Sequence, residues 1–152
     1  MKRIIIGIGV LFVVLVVAQH FFSVRMAKSV DFDGPTLIFK HGPSVSVRLA
    51  QTPQEREHGL SGTISLPEGE GMLFFFDTAG FPAFWMKDMT YPIDIIWLSS
   101  DWKVADITHT LPPESYPATV APQFSTQYVL EVPSGFARTH HITVGQSVSF
   151  QK

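Results

Sequence analysis

The segment Ile93-Asp94-Ile95-Ile96-Trp97-Leu98 shows most clearly what kind of fold this sequence forms. It is short, apolar and rich in β-branched and aromatic residues, a composition typical of a β-strand. Because successive side chains in a strand point to opposite faces, Asp94 shares one face with Ile96 and Leu98. The segment therefore predicts a strand that carries one carboxylate on an otherwise apolar face.

Several similar segments lie on either side of this strand. They span residues 45–50, 72–76, 83–86, 104–107, 128–132 and 147–150. Thr52-Pro53-Gln54-Glu55 has the spacing of a capping box with proline at the first helical position, which predicts a short helix that ends near Gly59. Ser134 is expected to cap a second short helix through Arg138. Seven or so short strands without a long amphipathic helix predict an all-β sandwich or barrel with one or two short helices.

The N-terminus has the features of a targeting segment. Lys2 and Arg3 precede an uninterrupted apolar run over residues 4–18. Two interpretations remain open, because residues 4–24 are long enough to cross a bilayer as a retained anchor, whereas cleavage after Ala18 would remove a signal peptide. We therefore predict a signal anchor or signal peptide over residues 1–24, a linker over 25–36 and one domain over 37–152. That domain is expected outside the cytoplasm, either membrane-anchored or secreted.

The composition excludes several classes of function. The chain has no cysteine, which excludes disulfides, thiolate chemistry and cysteine-ligated metals. From Asp31 onward, seven Lys or Arg stand against thirteen Asp or Glu, so the formal charge of −6 argues against nucleic acid as a partner. The six histidines have neither H-x-H nor H-E-x-x-H spacing, and no Gly-rich phosphate loop or G-x-S-x-G motif occurs. We expect no metal site, no cofactor and no nucleophilic serine.

Two carboxylates in predicted strands are the most informative polar residues. Asp94 needs a cation or several hydrogen-bond donors, because burial of an isolated charge is costly. Lys87, Arg48 and Arg56 are candidate partners in a pocket; alternatively, Asp94 is a buried structural carboxylate that fixes a turn. Glu131 poses the same problem. The two could act as general acid and base only if the fold brings them within roughly 5 to 10 Å across a cleft.

The aromatic residues of the predicted sheet allow two interpretations. This set consists of Phe81, Phe84, Trp85, Tyr91 and Trp97. Aromatic side chains in a small β domain mostly pack into the core, which is the structural interpretation. If they were exposed, they would instead form a platform for a sugar or another partly apolar ligand.

Five motifs in fixed order resemble the DUF192 family, a group of small, uncharacterised bacterial and archaeal proteins. They are Arg56-x-x-Gly59-Leu60, Gly71-Met72-Leu73-Phe74, Phe84-Trp85-Met86-Lys87, Pro92-Ile93-Asp94-Ile95 and Tyr128-Val129-Leu130-Glu131-Val132-Pro133-x-Gly135. The resemblance covers about residues 45–150. It implies a jelly-roll-like β-sandwich, often behind an N-terminal signal or lipid anchor, and it implies no activity. Asp88 stands where many relatives have Asn, which adds a negative charge beside Lys87.

Three functions follow as hypotheses. The first is a non-enzymatic binding or accessory module at the cell envelope, with Arg56, Lys87, Asp94 and Glu131 lining a polar pocket floored by Trp85. Its partner would be a small molecule or an envelope component, and residues 4–24 would attach the protein to the membrane. The second is an enzyme that acts on an envelope carbohydrate or peptide, with Asp94 and Glu131 as acid and base. The third is a structural or assembly protein with an exposed apolar patch over residues 111–122.

Overall fold

The computed structural model describes residues 34–152 of the chain. The predicted signal anchor or signal peptide, residues 1–24, and most of the predicted linker lie outside the described residues. Across residues 34–152, no helix has both the length and the apolar character needed to cross a membrane.

The described residues form seven strands and two short α-helices. In chain order these are β1 (Thr36–Phe39), β2 (Ser44–Ala50), α1 (Pro53–His58), β3 (Glu70–Gly80), β4 (Ile93–Leu98), β5 (Val104–Leu111), β6 (Thr126–Pro133), α2 (Phe136–Thr139) and β7 (Val148–Gln151). A single 3-10 turn, Pro113–Ser115, lies between β5 and β6. The predicted all-β fold with one or two short helices is confirmed.

All seven strands belong to one sheet in the order β5-β4-β6-β3-β2-β1-β7. Neighbouring strands are antiparallel except for β2 and β3, which run parallel. The two edge strands approach each other where the amide of Val104 donates to the Gln146 carbonyl at 2.9 Å and the amide of Val148 donates to the Trp102 carbonyl at 2.8 Å. The sheet therefore curls into a half-barrel, which is the barrel-like form of the predicted architecture.

Three local predictions differ from the structure. Residues 83–86 do not form a strand, because they cross the sheet face and pack Phe84 and Met86 onto it; one bridge joins Phe84 to Val120. Strand β1 was not predicted, since four residues beside a linker give little periodicity. Ser134 does not cap α2, whose N-cap position is Gly135 in a left-handed conformation with φ of 86° and no side-chain cap.

The sheet has an apolar core on each face. The inner core contains side chains from all seven strands and is covered by α2 through Phe136 and Ala137. The outer core lies on β3, β4 and β6 and is covered by residues near α1 and by the crossing segment, residues 81–91. All six residues of β4 are consequently buried. We use inner face and outer face below for these two sides of the sheet.

Gly71 allows β3 and β6 to lie close together. A Cβ atom at this position would lie 2.8 Å from the Glu131 carbonyl oxygen and 3.0 Å from the Leu130 Cδ1 atom. Carbon atoms cannot approach a backbone oxygen this closely without displacing it, so any side chain at residue 71 would push the two strands apart. Glycine is therefore required at the point where β3 begins to pair with β6.

Asp94 is fully buried on the inner face and binds three backbone amides. Its Oδ1 atom accepts from the amides of Thr110 at 2.8 Å and Gly135 at 3.1 Å, and its Oδ2 atom accepts from the amide of Ala137 at 3.0 Å. These donors replace the water that the carboxylate loses, so no Lys or Arg is needed. One side chain of β4 thus holds the end of β5 and the turn into α2 together, which is a structural role.

Replacing Asp94 by Asn should destabilise the protein strongly. The amide group of Asn would present N–H donors to at least one of the backbone amides, which removes a charge-assisted hydrogen bond and leaves buried donors unpaired. We expect a loss of about 1.5 to 3 kcal/mol in the free energy of unfolding, measured by urea denaturation.

The matched control is Asp77→Asn, because Asp77 is exposed on β3. This variant should change stability by less than about 0.5 kcal/mol. Equal stability of Asp94→Asn and Asp77→Asn would contradict the role assigned to the three amide contacts.

Candidate functional site

Glu131 and Asp94 lie on opposite faces of the sheet. In the antiparallel pairing of β4 with β6, Glu131 is directly opposite Ile95, whereas Asp94 is opposite Val132. Directly paired residues point to the same face, so Glu131 points to the outer face and Asp94 to the inner face. The hypothesis that the two carboxyls act together as general acid and base is therefore wrong, because the sheet separates them.

Glu131 is buried without the donors that Asp94 has. Glu131 is 5% exposed, and its Oε2 atom has no hydrogen-bond partner among residues 34–152. Burial raises the pKa of the Glu131 carboxyl to about 8, with the positive charge of Arg48 opposing the shift. At neutral pH this carboxyl is thus mostly protonated.

Glu131 is one of the residues that line a cavity of about 230 Å³ between α1, the outer face and the crossing segment. Its apolar lining consists of Leu60, Phe74, Phe76, Phe84, Trp85 and Met89. Its polar lining consists of Arg56, Glu57 and His58 from α1, with Ser61 after it and Glu131 from the sheet. The cavity is therefore largely aromatic and contains one buried carboxyl.

The aromatic walls hold one another in place. Phe84 meets Phe74 edge to face, with ring centroids 4.9 Å apart, and Phe76 at 6.4 Å. Phe84 also packs at 5.4 Å against the fully buried Trp97. Edge-to-face contacts in a packed core leave the rings few alternative positions, so the cavity is formed before any ligand arrives. Trp85, at 43% exposure, lies where the cavity opens.

Helix α1 fixes the polar end of the cavity. Its predicted capping box is present, since Thr52 Oγ1 accepts from the Glu55 amide and Glu55 Oε2 accepts from the Thr52 amide. The next residue, Arg56, donates from Nη1 to the carbonyls of Gln51 at 2.6 Å and Phe75 at 2.8 Å. Its guanidinium also lies over the Phe76 ring, 5.3 Å from the centroid. Arg56 is therefore both a wall residue and a tie between α1 and β3.

Lys87 lies outside this cavity, in a second concavity of about 290 Å³ that adjoins it. Trp85, Glu57, His58 and Ser61 line both. The side chains of Gln54, Lys87 and Asp88 complete the second concavity. Asp88 has φ of 57°, a left-handed conformation that Asp and Asn adopt more readily than most residues. Because Asp88 is exposed, the negative charge that it carries and an Asn would not carry faces solvent beside the cavity opening.

The structure brings together three of the five predicted pocket residues. Arg56, Trp85 and Glu131 line the cavity, Lys87 lines the adjoining concavity, and Asp94 lies on the other face of the sheet. The sequence pattern did not single out Phe74 and Phe76 as cavity residues, although their alternation along β3 places them on the same face. It also missed Glu57 and His58, for which no local signal exists. Within residues 34–152, no group of three His, Asp or Glu side chains could hold a metal ion.

This fold and site define a class of small β half-barrel domains with an aromatic, carboxyl-containing cavity on the outer face of the sheet. The family model of DUF192, described as "Uncharacterized ACR", matches residues 36–150. The chain belongs to this family, and the resemblance found in the five motifs is thereby confirmed.

Two solved structures are similar to this chain. A protein from Sinorhizobium meliloti 1021, described as a proposed transcription regulator, is 27% identical with a TM-score of 0.68; the match covers 76% of this chain and 91% of that one. A protein of unknown function from Novosphingobium aromaticivorans is 28% identical with a TM-score of 0.69, covering 76% and 82%. No curated protein matches the chain. The comparisons therefore establish the family and leave its activity open.

The raised pKa of Glu131 predicts a specific pH dependence of stability. Between about pH 4.5 and pH 8 the folded protein holds a proton that the unfolded chain has released, so stability falls as pH rises through this window. Glu131→Gln mimics the protonated carboxyl and lacks this dependence. We expect the wild type to lose stability relative to Glu131→Gln by up to about 1.4 kcal/mol per pH unit, measured by urea denaturation from pH 5 to pH 8.5.

Glu68→Gln provides the control, because Glu68 is exposed. The stability difference between wild type and this variant should stay constant over the same pH range. A constant difference between wild type and Glu131→Gln would show that the Glu131 carboxyl titrates as it does in water.

Proposed function

We propose that this domain binds a small, partly apolar molecule in the outer-face cavity and that it works as a non-enzymatic binding or accessory module. The observation that carries the proposal is the Glu131 carboxyl, which lies in a central strand, lines an aromatic cavity and has no partner for its Oε2 atom among residues 34–152. Leaving such a group unpaired costs about 1 to 3 kcal/mol, which a hydrophobic residue would avoid. A ligand group that pairs with the carboxyl explains why it is kept there.

The arrangement supports binding better than catalysis. The second predicted catalytic carboxyl, Asp94, is enclosed by three backbone amides on the inner face. General acid–base chemistry on a sugar or peptide needs a second group that can exchange protons across the substrate. The other carboxyl and the imidazole of the lining, Glu57 and His58, are exposed on α1, so Glu131 is the one buried carboxyl of this cavity.

Two other kinds of partner, nucleic acid and another protein at an assembly surface, receive less support. Residues 34–152 contain seven Lys or Arg against eleven Asp or Glu, an excess of negative charge that opposes nucleic-acid binding. In the segment 111–122, where an assembly surface was expected, Tyr116 is the one large hydrophobic side chain with high exposure. We therefore favour a small molecule.

We also propose that the domain works outside the cytoplasm, at the envelope. The support is in the sequence, where Lys2 and Arg3 precede the apolar residues 4–18. Positive charge before the apolar run favours an N-terminus that stays in the cytoplasm, which places the remaining chain on the far side of the membrane.

Filling the cavity should abolish ligand binding. Ala83 lines the cavity and is exposed, so Ala83→Phe adds a ring at the opening with little effect on folding. A thermal-shift screen of the full chain against amines, acids, alcohols, amides and sugars should yield compounds that raise Tm by a few degrees at about 100 times their Kd. Those shifts should vanish in Ala83→Phe.

Ala79→Phe is the matched control, since Ala79 is exposed on β3 and does not line the cavity. It should respond to the same compounds as the wild type. Shifts that persist in Ala83→Phe, or a screen in which no compound raises Tm, would contradict the proposed site.

The envelope location has its own test. The native protein should fractionate with the membrane and carry its original N-terminus if residues 1–24 are a retained anchor, or begin at Gln19 outside the cytoplasm if Ala18 is the cleavage site. N-terminal sequencing of fractionated cells separates these two forms. An intact chain in the cytoplasmic fraction would contradict the location.

A further inference from the structure

The Glu131 carboxyl and the aromatic walls together restrict which ligand this cavity accepts. We infer that the ligand is a compact organic cation with N–H donors, such as a protonated primary amine, paired with the Glu131 carboxylate and surrounded by aromatic rings. The inference rests on the proposed binding function and adds to it the chemical class of the ligand.

In its ionised form the Glu131 carboxyl needs hydrogen-bond donors. An ionised carboxylate only accepts hydrogen bonds, and Oε2 of Glu131 receives none from residues 34–152. An ammonium group has three N–H donors and a compensating charge, which offset the desolvation cost of a buried carboxylate inside an apolar cavity. A quaternary ammonium ion has the charge and lacks the donors, so it satisfies half of this requirement.

The aromatic walls favour the same ligand. Four aromatic side chains line the cavity together with Glu131, namely Phe74, Phe76, Phe84 and Trp85. The face of an aromatic ring has a negative electrostatic potential and attracts a cation within about 6 Å of the ring centre. The cavity already shows this preference at its polar end, where the Arg56 guanidinium lies 5.3 Å from the Phe76 centroid.

The charges near the cavity permit a cation. Arg56 is the one Lys or Arg that lines it; its Nη1 is engaged by two carbonyls, and Glu57 lines the same end. With Glu131 ionised, the lining has two carboxylates and one guanidinium, while Arg48, whose charge acts on Glu131, is not among the lining residues. The adjoining concavity has Glu57 and Asp88 against Lys87. The opening is therefore not a positively charged barrier to an amine.

Binding of a cation must release a proton. The free protein holds Glu131 mostly as the carboxylic acid at pH 7, since burial raises its pKa to about 8. When the ammonium ion enters, the carboxyl gives its proton to solvent and becomes the carboxylate of the ion pair. Affinity therefore rises with pH until Glu131 is ionised in the free protein. A ligand that accepts a hydrogen bond from the protonated carboxyl would show the opposite dependence.

Other titratable groups around Glu131 must be separated from this effect. They are Arg56, Glu57 and His58 on α1, Lys87, Asp88 and Tyr91 in or beside the crossing segment, and Arg48, Glu70 and Asp106 on the outer face of the sheet. Of these residue types, only histidine ordinarily changes its charge between pH 6 and pH 8. Since a protonated His58 would also repel a cation, a His58→Gln variant is needed.

The test uses three matched probes: benzylamine, benzyl alcohol and benzyltrimethylammonium. Titration calorimetry with the full chain should show that benzylamine binds at pH 8 more tightly than either of the other two. If benzylamine binds only when the Glu131 carboxyl is ionised, its affinity should rise about 50-fold from pH 6 to pH 8, because the ionised fraction of a group with a pKa of about 8 rises by that factor. The same measurement in two buffers of different ionisation enthalpy should detect the released proton.

The variants identify the group responsible. Glu131→Gln should lose the preference for benzylamine and its pH dependence, whereas Glu68→Gln, at an exposed residue outside both concavities, should keep both. The pH dependence should also persist in His58→Gln. A pH dependence that disappears in His58→Gln, or equal binding of benzylamine and benzyl alcohol at both pH values, overturns the inference. If benzyl alcohol binds and Ala83→Phe abolishes that binding, the proposed cavity function stands without the cation. If no probe binds and the broader screen also fails, both fail.

Discussion

The alternation of side chains along β3, β4 and β6 is the constraint on which the rest of this domain depends. These central strands are covered on both faces, so their buried side chains enter one core or the other, and only residues 77–79 at the end of β3 are exposed. A shift of one residue in the β4–β6 register would exchange the two faces. A shift of β4 would take Asp94 away from its three amide donors, and a shift of β6 would turn Glu131 away from the cavity.

The two buried carboxyls show opposite responses to the same cost of desolvation. Asp94 receives three backbone amides, which stabilise its charge and bind the end of β5 to the turn before α2. Glu131 receives none at Oε2 and keeps its proton to a higher pH. The first arrangement holds the fold together, whereas the second leaves binding capacity unused. This difference is why we place the site at Glu131 and assign Asp94 to structure.

The cavity is the space left between three elements that cover the outer core. Helix α1 supplies its polar end, β3 and β6 supply its floor, and the crossing segment closes it with Phe84 and Trp85. The segment can do this because it packs on the sheet face rather than joining the sheet as a strand. Had residues 83–86 paired as an eighth strand, their alternate side chains would have been divided between the faces and the aromatic wall would not exist.

Periodicity and local chemistry are enough to predict the all-β class, most strands, the capping box of α1, the family and the two carboxylates that needed an explanation. The amino-acid sequence therefore carries these features without reference to long-range contacts. It also singled out Arg56, Trp85 and Glu131. Which carboxyl has donors depends on long-range contacts, since the amides that bind Asp94 come from residues 16, 41 and 43 positions away in the chain. Glu57 and His58 join the cavity for the same reason: long-range strand pairing sets their distance from Glu131, and nothing in their own neighbourhood encodes it.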